Sequence, residues 1–142
     1  MYLASATRPD ISFAVSKLSR FISNPGDDNW HALKRVMRYL NGTKSYGIHY
    51  TGYPRLLEGY CDANWISDAD EIYATSGYVC SLGDDAVSWK SCKQTILTRS
   101  TMEAELTSLD TATVEAEWLR ELLMDLPVVE KPIPTISMNY YN

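Results

Sequence analysis

No stretch of about 18 apolar residues occurs, so nothing in this chain spans a membrane as a helix. The amino terminus has no basic region followed by an apolar core, and no secretory signal is read there. Cysteine is scarce. Cys61, Cys80 and Cys92 are odd in number, and their spacings of 19 and 12 match no zinc or redox motif. Thiols of that kind belong in a reducing compartment, so the expected location is intracellular, cytoplasmic or nuclear rather than secreted. Histidine is scarcer still. His31 and His49 suggest no Ser–His–Asp or Cys–His arrangement and read as surface or packing residues. Internal repeats and low-complexity segments are also missing.

What is present suits one domain, or one domain with an appendage: 142 residues, of which 45% are apolar. The net charge of −5 hides an asymmetry. Residues 1–50 carry seven bases against three acids, a net +4, and residues 51–142 carry six against fifteen, a net −9. A basic segment joined to an acidic one marks a boundary near residue 50. It suits a protein with one part near a phosphate backbone and another that holds cations, as well as two solvated faces.

Thr7-Arg8-Pro9-Asp10 reads as a helix start, followed by Ile11, Ala14, Val15, Leu18 and Ile22 at helical spacing. Asn24-Pro25-Gly26 ends that helix, and Asp27 or Asp28 caps the next. Trp30, Leu33, Val36, Met37 and Leu40 form the second helix's apolar stripe, with His31, Lys34, Arg35 and Arg38 on its other side. Residues 1–42 are therefore expected to form a helical hairpin. Tyr46, Ile48 and Tyr50 then alternate as on a half-buried strand. Leu56 to Cys61 reads as a strand ending at Asp62, and Ile66 to Ala74 as a polar turn. Thr75 to Leu82 and Ala86 to Lys90 read as two more strands around a Gly83-Asp84-Asp85 hairpin turn, an antiparallel meander. Ser100-Thr101-Met102-Glu103 is a capping box. The helix behind it runs to about Met124, with Leu106, Leu109, Thr113, Ala116, Leu119, Leu123 and Leu126 as its core stripe. Thr135 to Tyr141 supplies a fourth strand. The fold class is α+β.

Two stretches carry the chemistry: Gly59-Tyr60-Cys61-Asp62-Ala63-Asn64-Trp65 and Ser100-Thr101-Met102-Glu103-Ala104-Glu105-Leu106. Each sets a carboxylate at a structured edge. Together with Thr7-Arg8-Pro9-Asp10-Ile11, Ser19-Arg20-Phe21, Arg38-Tyr39-Leu40, Gly42-Thr43, Thr75-Ser76-Gly77-Tyr78, Ser88-Trp89 and Trp118-Leu119, they form an ordered set over nearly the whole chain. In that set the chain resembles the junction between polymerase and ribonuclease H in a copia-type retrotransposon Pol polyprotein. The resemblance implies that residues 1–50 are the helical, connection-like tail of the reverse transcriptase. Residues 51–142 would be the first part of a ribonuclease H domain: three antiparallel strands, one long helix and a fourth strand. The polymerase active site would lie upstream, so DNA synthesis is not expected.

Ribonuclease H cleaves the RNA strand of an RNA–DNA hybrid with two metal ions roughly 3.5–4 Å apart. Magnesium or manganese wants several converging oxygen ligands. The resemblance matches the first acid to Asp62 and the helix acid to Glu105. Glu103 competes for the helix role, but the capping box uses it, and Glu105 shares a face with Leu109. At the third acid's place stands Tyr141, a poor magnesium ligand. A fourth acid, a fifth strand and later helices would fall beyond residue 142. Asp68, Asp70, Asp84, Asp85 and Asp110 read as solvated turn or helix residues. The expectation is a degenerate site holding at most one weak ion and no efficient hydrolysis. The alternative is a non-catalytic module. It would bind nucleic acid through Lys34, Arg35 and Arg38, or a protein partner at an open sheet edge.

Overall fold

A computed structural model describes residues 2–50, 56–65, 72–83, 85–127, 131, 133 and 135–140. The chain divides into two compact units, Met1–Ile48 and His49–Asn142.

The first unit is helical: α1 (Tyr2–Ala6), a 3-10 turn (Pro9–Ile11), α2 (Ser12–Ser19) and α3 (Asp27–Gly42). The helix start read at Thr7–Asp10 is there, with Pro9 opening the 3-10 turn, Asp10 in its first turn and α2 following directly, but the sequence reading did not foresee the short α1 before it. Arg8, at φ −134° and ψ 78°, is extended because the proline ring that follows disfavours helical backbone. The expected run to Ile22 stops at Ser19, leaving Phe21 and Ile22 exposed. Neither Asp27 nor Asp28 caps α3. Gly26 is its N-cap without a side-chain bond, and both acids lie in the first turn, where the helix dipole favours them. The stripe of α3 is not a core: Trp30, Leu33 and Met37 are exposed, Met37 by 60%. An eight-residue helix spans about 12 Å and a sixteen-residue one about 24 Å, so α2 is too short to cover α3.

Arg8 knots this unit together. Its Nε donates to Asp10 Oδ1 (2.9 Å), and Nη2 donates to Asp10 Oδ2 and to Thr43 Oγ1 (both 2.7 Å). Its Nη1 donates to the Thr43 carbonyl (3.1 Å). The Tyr39 hydroxyl donates to Asp10 Oδ2 (2.8 Å), and Thr43 Oγ1 donates to the Tyr39 carbonyl (2.8 Å). The rings of Tyr39 and Tyr46 lie 5.5 and 6.0 Å from the guanidinium carbon. A buried arginine is tolerated because its fork is satisfied in this way.

Tyr46 to Tyr50 is not a strand. Its alternating rings serve other purposes: Tyr46 faces Arg8, and the Tyr50 hydroxyl donates to the Ala86 carbonyl (3.0 Å).

The second unit holds β1 (Leu57–Asn64), β2 (Thr75–Leu82), β3 (Asp85–Lys93), α4 (Thr101–Asp125) and β4 (Ser137–Tyr140). The sheet order is β3-β2-β1-β4. β1 and β2 pair antiparallel from Leu57↔Leu82 to Asn64↔Thr75, and β3 continues the meander with an irregularity at Cys80/Ser81. α4 carries the chain back across, so β4 lies parallel to β1, from Glu58↔Ser137 to Cys61↔Tyr140. The fold is α+β. Asp85 opens β3 rather than belonging to the turn, whose left-handed position is Gly83 at φ 67°. Asp62 lies within β1, which runs on to Asn64, and does not end it.

The core joins Leu57 and Cys61 of β1, Tyr78 and Cys80 of β2, and Ala112, Ala116 and Leu119 of α4. Leu109, Leu123, Val87, Ile136 and Met138 pack around it. The expected leucine stripe of α4 needs correction. The buried row is Ala104, Ser108, Ala112, Ala116 and Leu119, whereas Leu106 is 56% exposed and Leu126 is exposed too. Small residues at every fourth position let the helix axis come close to the sheet, and Leu109, Leu119 and Leu123 of the expected stripe pack beside them. Trp118, like Trp30, lies on an exposed face rather than in a core.

Candidate functional site

Asp62 sits on a central strand, between Cys61, buried against α4, and Ala63. Its side chain is exposed, as the two-residue alternation of β1 requires beside a buried Cys61. Glu105 lies in the second turn of α4 and is half-buried. Three side chains, Ser108, Gln94 and Trp65, tether the start of α4 and the segment before it. Ser108 Oγ donates to the Asp62 carbonyl (2.7 Å) and approaches the Gly77 carbonyl (3.3 Å). Gln94 Nε2 donates to the Ala104 carbonyl (2.8 Å) and to Ser76 Oγ (2.7 Å). Trp65 Nε1 donates to the Thr98 carbonyl (3.1 Å), two residues before the N-cap.

The Ser100 half of the capping box forms, with Ser100 Oγ accepting from the Glu103 backbone N–H (3.2 Å), while Glu103 Oε2 reaches one residue farther back and accepts from the Arg99 N–H (2.7 Å). Glu103 is therefore occupied. Burial pushes the Cys61 thiol above its ordinary pKa, and the charges of Asp62 and then Glu105 push it further. Both carboxylates thus bear on one buried sulfur.

A hard divalent cation suits carboxylate oxygens, and Asp62 and Glu105 offer them. Among the described residues no group of three or more His, Cys, Asp or Glu side chains gathers. Two carboxylates are fewer oxygen ligands than a close pair of divalent ions calls for. Tyr141, Asp68, Asp70 and Asp84 lie outside the described residues. Asp110 is exposed on α4.

Farther along the same helix, Ser88 Oγ donates to Glu115 Oε1 (2.6 Å). Burial first, and the Glu115 charge second, push Tyr78 up to about 12 and Cys80 up to about 11. In the first unit, Lys34, Arg35 and Arg38 are all exposed on α3, and the Lys34 ammonium lies 5.4 Å from the centre of the Trp30 ring. The sequence reading missed the roles of Arg8, Gln94 and Ser108. One signal was available for Ser108: it interrupts a row of alanines at a spacing of four.

Among the described residues no helix is long and apolar enough to cross a membrane. No family model and no solved structure matches the chain. Curated relatives do. A retrovirus-related Pol polyprotein from transposon RE2 of Arabidopsis thaliana is 43% identical over 136 residues, 95% of this chain and 9% of the relative. The corresponding polyprotein from transposon TNT 1-94 of Nicotiana tabacum is 37% identical, over 92% of this chain and 10% of its own length. The chain therefore spans about a tenth of the length of these polyproteins. Secreted RxLR effector protein 161 of Plasmopara viticola is 46% identical over 121 residues, 84% of each chain.

Proposed function

Because the chain belongs to the copia-type retrotransposon Pol family, we propose that it is a Pol segment joining a reverse transcriptase tail to a ribonuclease H-like domain whose active site has decayed. Residues 1–50 are the polymerase-derived part and residues 51–142 the nuclease-derived part. The observation that carries this reading is the placement of the two acids. Asp62 lies on the inner strand β1, between antiparallel β2 and parallel β4, and Glu105 lies near the start of the crossover helix that leads to β4.

Asp62 and Glu105 hold one magnesium or manganese ion weakly. When bound, such an ion would polarise a phosphate oxygen or a water. Among the described residues no third ligand-type side chain joins Asp62 and Glu105, and with a tyrosine at position 141 this set falls short of the paired-ion chemistry that hybrid cleavage demands. The 142-residue chain is expected to leave a labelled RNA–DNA hybrid intact in magnesium and in manganese. Cleavage that disappears in Asp62→Asn would overturn the proposal. The location proposed with it is intracellular, cytoplasmic or nuclear, and cell fractionation checks it.

A second reading rests on two observations. Lys34, Arg35 and Arg38 present three exposed cations on α3. A relative named as a secreted effector is matched over most of its length. The segment then serves as a non-catalytic module that binds a nucleic-acid backbone. Hybrid affinity is expected to fall with salt at a log–log slope of about −3, for three phosphate contacts. A triple alanine variant at these positions should flatten that slope, and an unchanged slope would sink the reading. A protein partner at the sheet edge is the weaker proposal, because exposed Lys90 and Lys93 blunt the β3 edge.

A further inference from the structure

We propose that Ser108 is a positioning residue, whose hydroxyl sets the placement of Glu105 against Asp62. This rests on the reading that those two carboxylates share one divalent cation.

The argument starts from the row of small residues that α4 lays on the sheet. Ala104, Ser108, Ala112 and Ala116 follow one another at intervals of four, and all are buried. Packing alone asks for alanine at each of these places, and three of the four have it. Ser108 is 1% exposed, so its hydroxyl gains nothing from water and must be satisfied inside. It is satisfied at one particular place. The Asp62 carbonyl accepts at 2.7 Å, and the Gly77 carbonyl lies at 3.3 Å. Asp62 and Gly77 are directly opposite each other in the β1–β2 ladder. One hydroxyl therefore reaches both strands at the residue that carries the strand acid.

Ser108 also lies one turn beyond Glu105, at the i+3 position. A helix turn is stiff, so fixing Ser108 fixes where Glu105 emerges. The Gln94 bond to the Ala104 carbonyl secures the other side of Glu105. The Ser88–Glu115 bond also joins α4 to the sheet, but ten residues farther along. It supports the same helix without touching the acid-bearing turn, and so serves as an internal control. A bond whose only role is stability would be equivalent to it. A bond that positions Glu105 would not.

The test is manganese titration of the full 142-residue chain, followed by electron paramagnetic resonance, together with thermal melts. Wild type, Asp62→Asn, Ser108→Ala and Ser88→Ala are compared. Ser108→Ala is expected to weaken manganese binding by about tenfold, as loss of a supporting hydrogen bond at a metal site does. Ser88→Ala is expected to leave the affinity within about twofold while lowering the melting midpoint to a similar extent. Equal affinity losses in the two variants, or none in Ser108→Ala, would overturn the proposal while the Asp62–Glu105 site stands. A wild type without Asp62-dependent binding would overturn the site and this inference together. Should Ser108→Ala not fold, Ser108→Cys, of similar size and weak as a donor, is judged by the same criteria.

Discussion

Arg8 shows what one side chain contributes when all its donors are used. Its guanidinium holds the Asp10 carboxyl down at about 2, and the Tyr39 hydroxyl adds to the effect. The folded value lies below the ordinary 3.8, so this contribution to stability is fully present above that value and fades as pH falls toward about 2. Melts of wild type and Asp10→Asn between pH 7 and pH 2 should therefore show a midpoint gap that closes within that window. A gap constant with pH would contradict the assignment. Arg8→Lys is expected to cost about 1–3 kcal/mol, because an ammonium cannot reach Asp10 and Thr43 with the same fork. The motif Thr7-Arg8-Pro9-Asp10 was visible in the sequence, but the burial of Arg8 was not. Its partner Thr43 is 35 positions away, and no local pattern reports such a pairing.

At the level of elements, α4 separates hydrophobicity from burial. Leu106→Ser should shift stability by less than about 0.5 kcal/mol, because that leucine already faces water. Ala112→Leu should cost about 1–3 kcal/mol, because it forces the helix off the sheet. Urea denaturation of both variants checks the pair, and the reverse ranking would refute the packing described. β2, β3 and the capped start of α4 were legible because turn chemistry and capping are written in adjacent residues. The buried face of α4 was read in part: Leu109, Ala116, Leu119 and Leu123 are in or against the core, but Ala104, Ser108 and Ala112 were missed because helical period ranks residues by hydrophobicity, while the distance between helix and sheet selects them by size. The alternation at Tyr46, Ile48 and Tyr50 was misread as a strand because period two is also what separate side-chain tethers can produce. Asp62 and Glu105 are the acids the sequence singles out, and their shared role is the proposal made above. The hydroxyl that joins their elements left one trace, a serine in a row of alanines, but its acceptor is a backbone carbonyl, which no residue type reports.

For the whole molecule, the division into Met1–Ile48 and His49–Asn142 has a thermodynamic counterpart. Every member of the sheet-and-helix core comes from the second unit. A chain of residues 49–142 alone is therefore expected to unfold cooperatively, with a midpoint within a few degrees of the corresponding transition in the full chain. Calorimetry decides, and a featureless trace for the shorter chain would show that its core is not self-sufficient. The charge contrast between residues 1–50 and 51–142 was legible as a boundary. The internal order of the first unit was less so, because a short helix before a proline carries few residues from which to read a period.

The parallel seam between β1 and β4 has a kinetic corollary. The meander closes through neighbouring residues, so its ladders can zip up from their turns. Glu58 and Ser137, by contrast, approach each other from opposite ends of the unit. Chain-closure entropy delays such a pairing until the long helix has docked and brought the two ends together. Four residues of β4 are then the last to be recruited on refolding, and the first to be shed when the unit begins to open.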